Sequence, residues 1–416
     1  MIPALRTSIR RGLGARKRRY APTVAPLERQ LLVDVSVIVG SDAGTGIQRV
    51  VRSLLGQLIN LKTGDLAVHP VFASRDHGYC YAALTPDGSI GKLGADRGTL
   101  HPVATKADDI FLGLDLAAHL LPHLERDLER WRRSGVSLNF LVYDLLPVLR
   151  PDWFPPRTPR NFNLWLGVLA RQADRCICIS HVVATDLARE LAARAKGPTP
   201  EISTIPLGWD LTESYPSCGL PADMNFIRGW LDRHTTILAV GTVEPRKGYK
   251  ALLDAMTCHW NRSPDSNRAL LIVGRRGWRT EALQEHLRSH PENGKRLLWL
   301  DNASDELLAV IYTRVAGLVA ASYAEGFGLP LVEAAAHGLP VLARDIPVFR
   351  EIATPDFSFF SEDAPKILEQ TLASWTESVS TRRPEPHPPL ARWEDSGKAL
   401  AATLGLTSSG ACEQHP

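Results

Sequence analysis

The sequence predicts an α/β protein built from two doubly wound, Rossmann-like domains. Short apolar runs alternate with longer amphipathic segments, which is the rhythm of βα units. Glycine-containing loops follow several of these runs, at the places where open α/β sheets receive ligands. The chain's 416 residues exceed one typical domain and suit two. A turn-rich stretch at 214–221 separates the two series.

Residues 1–29 read as a basic leader. Arg6, Arg10, Arg11, Arg16, Lys17, Arg18 and Arg19 occur there, with no acid in the first twenty positions. Such a cluster is either solvated chain or, through residues 1–19, an attachment to anionic lipid at the inner membrane face. The first domain is expected over 30–212. Its first strand, 31–39, precedes a loop carrying Gly44 and Gly46, and then a helix with apolar positions Val50, Val51, Leu54, Leu55 and Leu58. Strands follow at 67–72 and 110–114, with a charged surface helix at 116–133. The strand 138–143 ends at Asp144, which either accepts a hydrogen bond from an acceptor hydroxyl or caps the next turn. The proline-rich loop 151–159 is a wall of an acceptor site or a rigid surface loop with Trp153 buried. The strand 175–179 leads to Ser180 as a helix N-cap and to His181 as a surface residue. The last strand spans 202–207.

The second domain is expected over 222–390. The strand 236–240 opens it, and Gly241-Thr242-Val243-Glu244-Pro245-Arg246-Lys247-Gly248 follows. Two adjacent cations at a strand end are costly to bury without an anion, so they point at phosphates. The strand 270–273 runs into Gly274-Arg275-Arg276, and βα units continue from 297 and 305. A strand end at 318–321 then meets Glu325, the turn Gly326-Phe327-Gly328, and a helix that starts at Leu329-Pro330 and passes Glu333 before Gly338 stops it. Free amides at such a helix start bind anions. Glu325 and Glu333, about two helical turns apart, bracket that site and suit hydroxyl recognition, sugar at one end and ribose at the other. Residues 391–416 are a closing helix, 393–404, and a tail.

The run Glu-Gly-Phe-Gly-Leu-Pro-Leu-Val-Glu at 325–333 resembles the Glu-x7-Glu motif of the family 4 retaining glycosyltransferases. Glu-Pro-Arg-Lys-Gly at 244–248 is similar to that family's Arg/Lys pair. Thr-Gly-Ile-Gln-Arg-Val at 45–50 resembles a subgroup, many of them mannosyltransferases of bacterial surface polysaccharides. The resemblance implies the GT-B fold, two Rossmann-like domains facing each other across a cleft, with a last helix crossing back to the first domain. By the same resemblance Arg246 and Lys247 would grip the donor diphosphate, Glu325 would hold donor sugar hydroxyls and Glu333 the ribose. Gly44 and Gly46 would let their loop approach the diphosphate or the acceptor, and Arg275 would lie near the base. Gly241, Gly326, Phe327, Gly328 and Leu329 complete the donor-binding set, and Asp144 joins the catalytic candidates. The family often has His-Asp where this chain has Tyr143-Asp144, which leaves the role of Tyr143 open. The reaction implied is transfer of a hexose, mannose from GDP-mannose, to a hydroxyl of a glycan or lipid-linked oligosaccharide. Donors such as GDP-fucose, dTDP-rhamnose or a UDP-sugar, a nucleotide-sugar epimerase of the same fold, and a catalytically silent glycan-binding relative are the alternatives.

The bulk properties agree with this reading. With 44% hydrophobic and 22% charged residues the composition is that of a globular enzyme, and a net charge of +3 gives no preference for nucleic acid. Six scattered cysteines without a CxxC pair indicate neither a zinc site nor a disulfide framework. No run of about eighteen apolar residues predicts a transmembrane helix, and the leader lacks the apolar core of a signal peptide. A cytoplasmic protein is therefore expected, peripheral at the inner membrane face only if the basic leader is the lipid attachment and not solvated chain. No metal and no cofactor is expected beyond the nucleotide-sugar substrate, since no Asp-x-Asp motif is present.

Overall fold

The computed structural model describes residues 19–20, 26–61, 66–85, 89–93, 99–194, 197–211, 219–379 and 391–406. The basic run 1–18, the centre of the expected hinge, 212–218, the prolines of 384–389 and the tail 407–416 lie outside the described residues.

Two sheets organise the chain. The strands of the first lobe are β1 (Arg19–Tyr20), β2 (Arg29–Asp34), β3 (Leu66–Ser74), β4 (His77–Leu84), β5 (Ile90–Lys92), β6 (Thr99–Leu100), β7 (Ile110–Gly113), β8 (Ser137–Val142), β9 (Arg175–Cys178) and β10 (Glu201–Thr204). Eight of them form one sheet in the order β10-β9-β8-β7-β2-β3-β4-β5, while β1 and β6 pair separately. Pairing is parallel from β10 to β3 and antiparallel at the β4 and β5 edge. The second lobe contains β11 (Thr235–Val240), β12 (Arg268–Val273), β13 (Leu297–Leu300), β14 (Gly317–Ala320), β15 (Val341–Arg344) and β16 (Phe357–Phe360). Its six strands are ordered β13-β12-β11-β14-β15-β16 and are all parallel. These are the two Rossmann-like sheets that the sequence predicts.

Alternation along the central strands explains why they sit in the middle. In β2, Leu31 and Val33 enter one core and Leu32 the other. In β11, Ile237 and Ala239 face one core and Leu238 the other. A strand apolar on both faces is stable only between two helical layers.

Three local expectations are corrected. The predicted strand 31–39 stops at Asp34, because the Asp34 carboxylate accepts from the Ser36 amide at 2.9 Å and turns the chain into the Ser36–Gly40 helix. A local Asp-to-backbone bond there wins over the β propensity of the valines. The predicted helix 116–133 is interrupted, with a 3-10 turn at Leu121–His123 and a helix only over Glu125–Arg133. Pro122 lacks the N–H that an unbroken helix would need. The β3–β4–β5 meander was not predicted; its first turn is Arg75-Asp76, which lacks the glycine signal of a tight hairpin.

The last helix, Trp393–Thr403, lies on the first lobe. Trp393 Nε1 donates to the Asp210 carbonyl at 3.0 Å, and a Cβ on Gly397 would come within 2.5 Å of Gln57 on the Gly46–Asn60 helix. Among the described residues, no helix is long and apolar enough to cross a membrane.

Candidate active site

The loops that follow β2, β8 and β9 face those that follow β11, β12 and β14 across a cleft of about 550 Å³. Carboxyl ends of parallel strands are where such sheets expose backbone and polar side chains. The catalytic and donor-binding candidates all line this cleft: Gly44, Gly46 and Asp144 from the first lobe, and Gly241, Arg246, Lys247, Arg275, Glu325, Gly326, Phe327, Gly328, Leu329 and Glu333 from the second.

The first polar cluster is centred on Glu325. Gly248 has a φ of +69°, and a Cβ there would lie 2.2 Å from the Ala321 carbonyl oxygen. Glycine thus allows the turn Pro245–Lys247 to lie against the segment before Glu325, and Tyr323 N donates to Arg246 O at 2.8 Å. Lys247 Nζ then reaches Glu325 Oε1 at 2.6 Å, Ser322 Oγ donates to the same oxygen at 2.7 Å, and Arg246 pairs with the other. Arg246 also pairs with Glu244 at 2.7 Å. Burial alone would raise the Glu325 pKa, but Arg246, then Lys247 and the two hydrogen bonds, hold it down at about 2. The buried cations therefore find counter-charges inside the protein, which the sequence reading did not foresee.

The second cluster surrounds Glu333, on the Leu329–Ala336 helix. Its carboxylate accepts from Tyr312 Oη at 2.7 Å and from Arg49 Nη1 at 2.6 Å. Arg49 comes from the first lobe and pairs also with Asp305. Burial raises the Glu333 pKa and Arg49 opposes that rise. Between the clusters, the Gly326, Phe327 and Gly328 amides precede the helix, and none donates to another described residue.

Other candidates occupy distinct places. The Asp144 carboxylate accepts from Leu146 N at 3.1 Å, which caps the next turn, and burial raises its pKa against the pull of Arg246. The Tyr143 ring is buried in the first lobe, its hydroxyl donating to Leu114 O at 2.8 Å, while the residue also borders the cleft. Phe327 and Leu329 pack against the cores of both lobes. The exposed Arg275 guanidinium lies 3.2 Å from where a Cβ on Gly44 would be, across the cleft.

The lobes meet closely. A Cβ on Gly326 would be 2.0 Å from the Tyr143 carbonyl oxygen, and Ser180 Oγ donates to Gly326 O at 2.8 Å while also accepting from Val183 N as the N-cap. The Glu351 carboxylate accepts from His181 N and Val182 N at 2.7 and 3.1 Å. Trp278 Nε1 donates to Trp153 O at 2.9 Å, and Arg279 to Phe154 O at 3.1 Å. Arg49, Glu244, Asp305 and Tyr312 were not singled out from sequence. Arg49 and Glu244 lay inside the quoted runs, whereas Asp305 and Tyr312 carry no local signal.

Comparison with known proteins follows the same outline. Residues 223–383 match the family described as glycosyl transferases group 1. Over 392 residues the chain is 39% identical to the serotype-specific mannosyltransferase WbdA of Escherichia coli, covering 92% of this chain and 47% of that protein. It is 26% identical over 238 residues to the O-antigen chain mannosyltransferase RfbU of Salmonella typhimurium, covering 57% of this chain and 58% of that one. The chain spans about half the length of the WbdA relatives it matches. Among solved structures, sucrose-phosphate synthase from Thermosynechococcus elongatus superposes with a TM-score of 0.59 at 19% identity, covering 91% of this chain and 97% of that one. Anabaena Alr3699/HepE, solved with UDP and glucose, gives 0.56 at 16%, covering 90% and 95%. The second lobe, over residues 223–383, is thus a glycosyl transferases group 1 domain, and the two lobes together have the GT-B arrangement.

Proposed function

We propose that the chain transfers mannose from GDP-mannose to a hydroxyl of a glycan or lipid-linked oligosaccharide in surface-polysaccharide synthesis, with retention at the anomeric carbon and without a metal. The convergence of Arg246 and Lys247 on Glu325 beside three free amides carries this reading, and kinship with proteins named mannosyltransferases directs the choice of sugar.

Breaking the anomeric bond builds positive charge on the sugar and negative charge on the departing diphosphate. Groups fixed in advance toward that developing charge lower the barrier most. Without donor, Arg246 and Lys247 are balanced by Glu244 and Glu325. The net attraction for a diphosphate therefore comes from the helix-start amides and from Arg275, with Arg246 and Lys247 shared between carboxylate and phosphate. Glu325 orients both cations and, through its remaining lone pairs, meets donor hydroxyls. Glu333 receives the ribose. The leaving phosphate takes the acceptor proton on the face it departs from, so no carboxylate pair of the glycosidase kind is needed.

A panel of nucleotide sugars, incubated with the protein in EDTA and without acceptor, tests this reading. Slow hydrolysis of GDP-mannose is expected, and transfer to an added glycan with an α product by NMR. Isomerised donor would make the protein an epimerase, absence of nucleotide-sugar binding a silent relative, and activity abolished by EDTA would remove the metal-free step.

A further inference from the structure

Beside the cleft, Trp153, Tyr323 and Arg150 form a tier outside the diphosphate site, backed by the buried Arg344, whose Nε donates to Ala321 O at 3.0 Å. The half-buried Trp153, from the first lobe, has its ring centroid 6.4 Å from that of Tyr323 in the second, the planes tilted by 38°. The Arg150 guanidinium lies 3.8 Å from the Trp153 centroid and the Arg344 guanidinium 4.1 Å from the Tyr323 centroid. Tyr323 remains 39% exposed, with its hydroxyl donating to Asp363 at 2.7 Å. Arg150 pairs with Asp152 at 3.3 Å.

Both rings are tied to the reacting centre through backbone. Tyr323 N donates to Arg246 O and Glu325 follows two residues later. Trp153 O is held by Trp278, and the next residues, Phe154 and Pro155, line the cleft. The tier therefore continues the cleft wall outward, on the side where Pro147, Phe154, Pro155 and Phe162 leave an apolar surface that the donor-binding residues do not contribute to.

We propose that Trp153 and Tyr323 form a subsite for a pyranose of the acceptor glycan, set back from the sugar that receives the transfer. The protein would then favour oligosaccharide over monosaccharide acceptors. The inference rests on the transferase reading above. A pyranose presents a face of C–H bonds that suits the negative face of an aromatic ring. Its hydroxyls need donors and acceptors, and Arg150 with Asp152 and Asp363 supply both, while the buried Arg344 covers one face of Tyr323 and is held by Ala321 O and Asp363. Two guanidiniums against two carboxylates leave the rim without net charge, which suits a neutral glycan better than an anionic one. Because the two rings come from different lobes, the subsite is complete only when the cleft is closed.

Calorimetric titration with an α-linked mannotriose and with methyl α-mannoside tests the subsite, using the whole chain, Trp153→Ala and Trp153→Phe. The wild type is expected to bind the trisaccharide roughly tenfold more tightly than the monosaccharide. Trp153→Ala should lose most of that preference and Trp153→Phe should keep it, with melting curves showing all three folded. Equal affinity of the wild type for both sugars, or an undiminished preference in Trp153→Ala, overturns the subsite and leaves the tier as a clasp between lobes. Preferential trisaccharide binding by a wild type that turns over no nucleotide sugar counts for the subsite and against the transferase reading.

Discussion

Glu325 and Glu333 sit on one turn and the helix that follows it, and each is paired with an arginine, yet their acidities move in opposite directions. Burial lifts both. Around Glu325, two cations of the same lobe and the Ser322 hydroxyl overcome that lift. Around Glu333, one cation delivered by the other lobe and divided with Asp305 does not. The charge on Glu325 is thus fixed within one lobe and persists if the lobes part, whereas the surroundings of Glu333 depend on their contact. A diphosphate grip needs the first property. A residue that reports whether the cleft is closed needs the second.

Removing Lys247 breaks the contrast most severely. Lys247→Ala should lower transfer about a hundredfold or more, close to 3 kcal/mol, with an unchanged circular dichroism spectrum, and the Glu325 pKa should rise toward the behaviour of Glu333. Wild-type turnover would discard the role given to Lys247.

Arg49→Ala acts on the other carboxylate and should act mainly on stability. A buried charge left alone costs about 3 kcal/mol, reduced to the extent that Glu333 takes up a proton. With its cation gone, the folded pKa of Glu333 rises further above the ordinary 4.5. The folded chain then holds a proton that the unfolded chain releases, so the variant's stability falls as pH rises from about 4.5 through that folded value. Melting at pH 5 and pH 8 checks this; a loss independent of pH would mean that the pair is not what holds the site.

Glu325→Gln sharpens the comparison at its acid end. A carboxylate held at about 2 adds stability that is complete above 4.5 and is lost as pH falls from 4.5 toward 2. The gap between wild type and variant in urea unfolding should therefore be wider at pH 6 than at pH 3. A gap that does not narrow in acid would show that Glu325 is not held ionised by its neighbours.

Much of this arrangement was legible because its signals are local. The apolar runs of β2, β8, β11 and β14, the Arg246-Lys247 pair and the glycine turn at 326–328 each declare themselves within a few residues. The cross-cleft partners did not. That Arg49 meets Glu333 depends on the relative placement of two sheets, 284 residues apart in sequence, and no periodicity encodes it. Glu351 at the start of the His181–Ala192 helix and Ser180 against the Gly326 carbonyl are hidden for the same reason. The end of β2 was misread because an Asp-to-Ser36 bond competes with a strand that propensity alone would extend.

The return of the last helix to the first lobe has a mechanical consequence. The polypeptide crosses the gap once after β10 and again before Ala391, so two covalent strands connect the lobes. The lobes are therefore doubly tethered, and in the closed arrangement the Glu351 carboxylate bridges them at the His181 and Val182 amides.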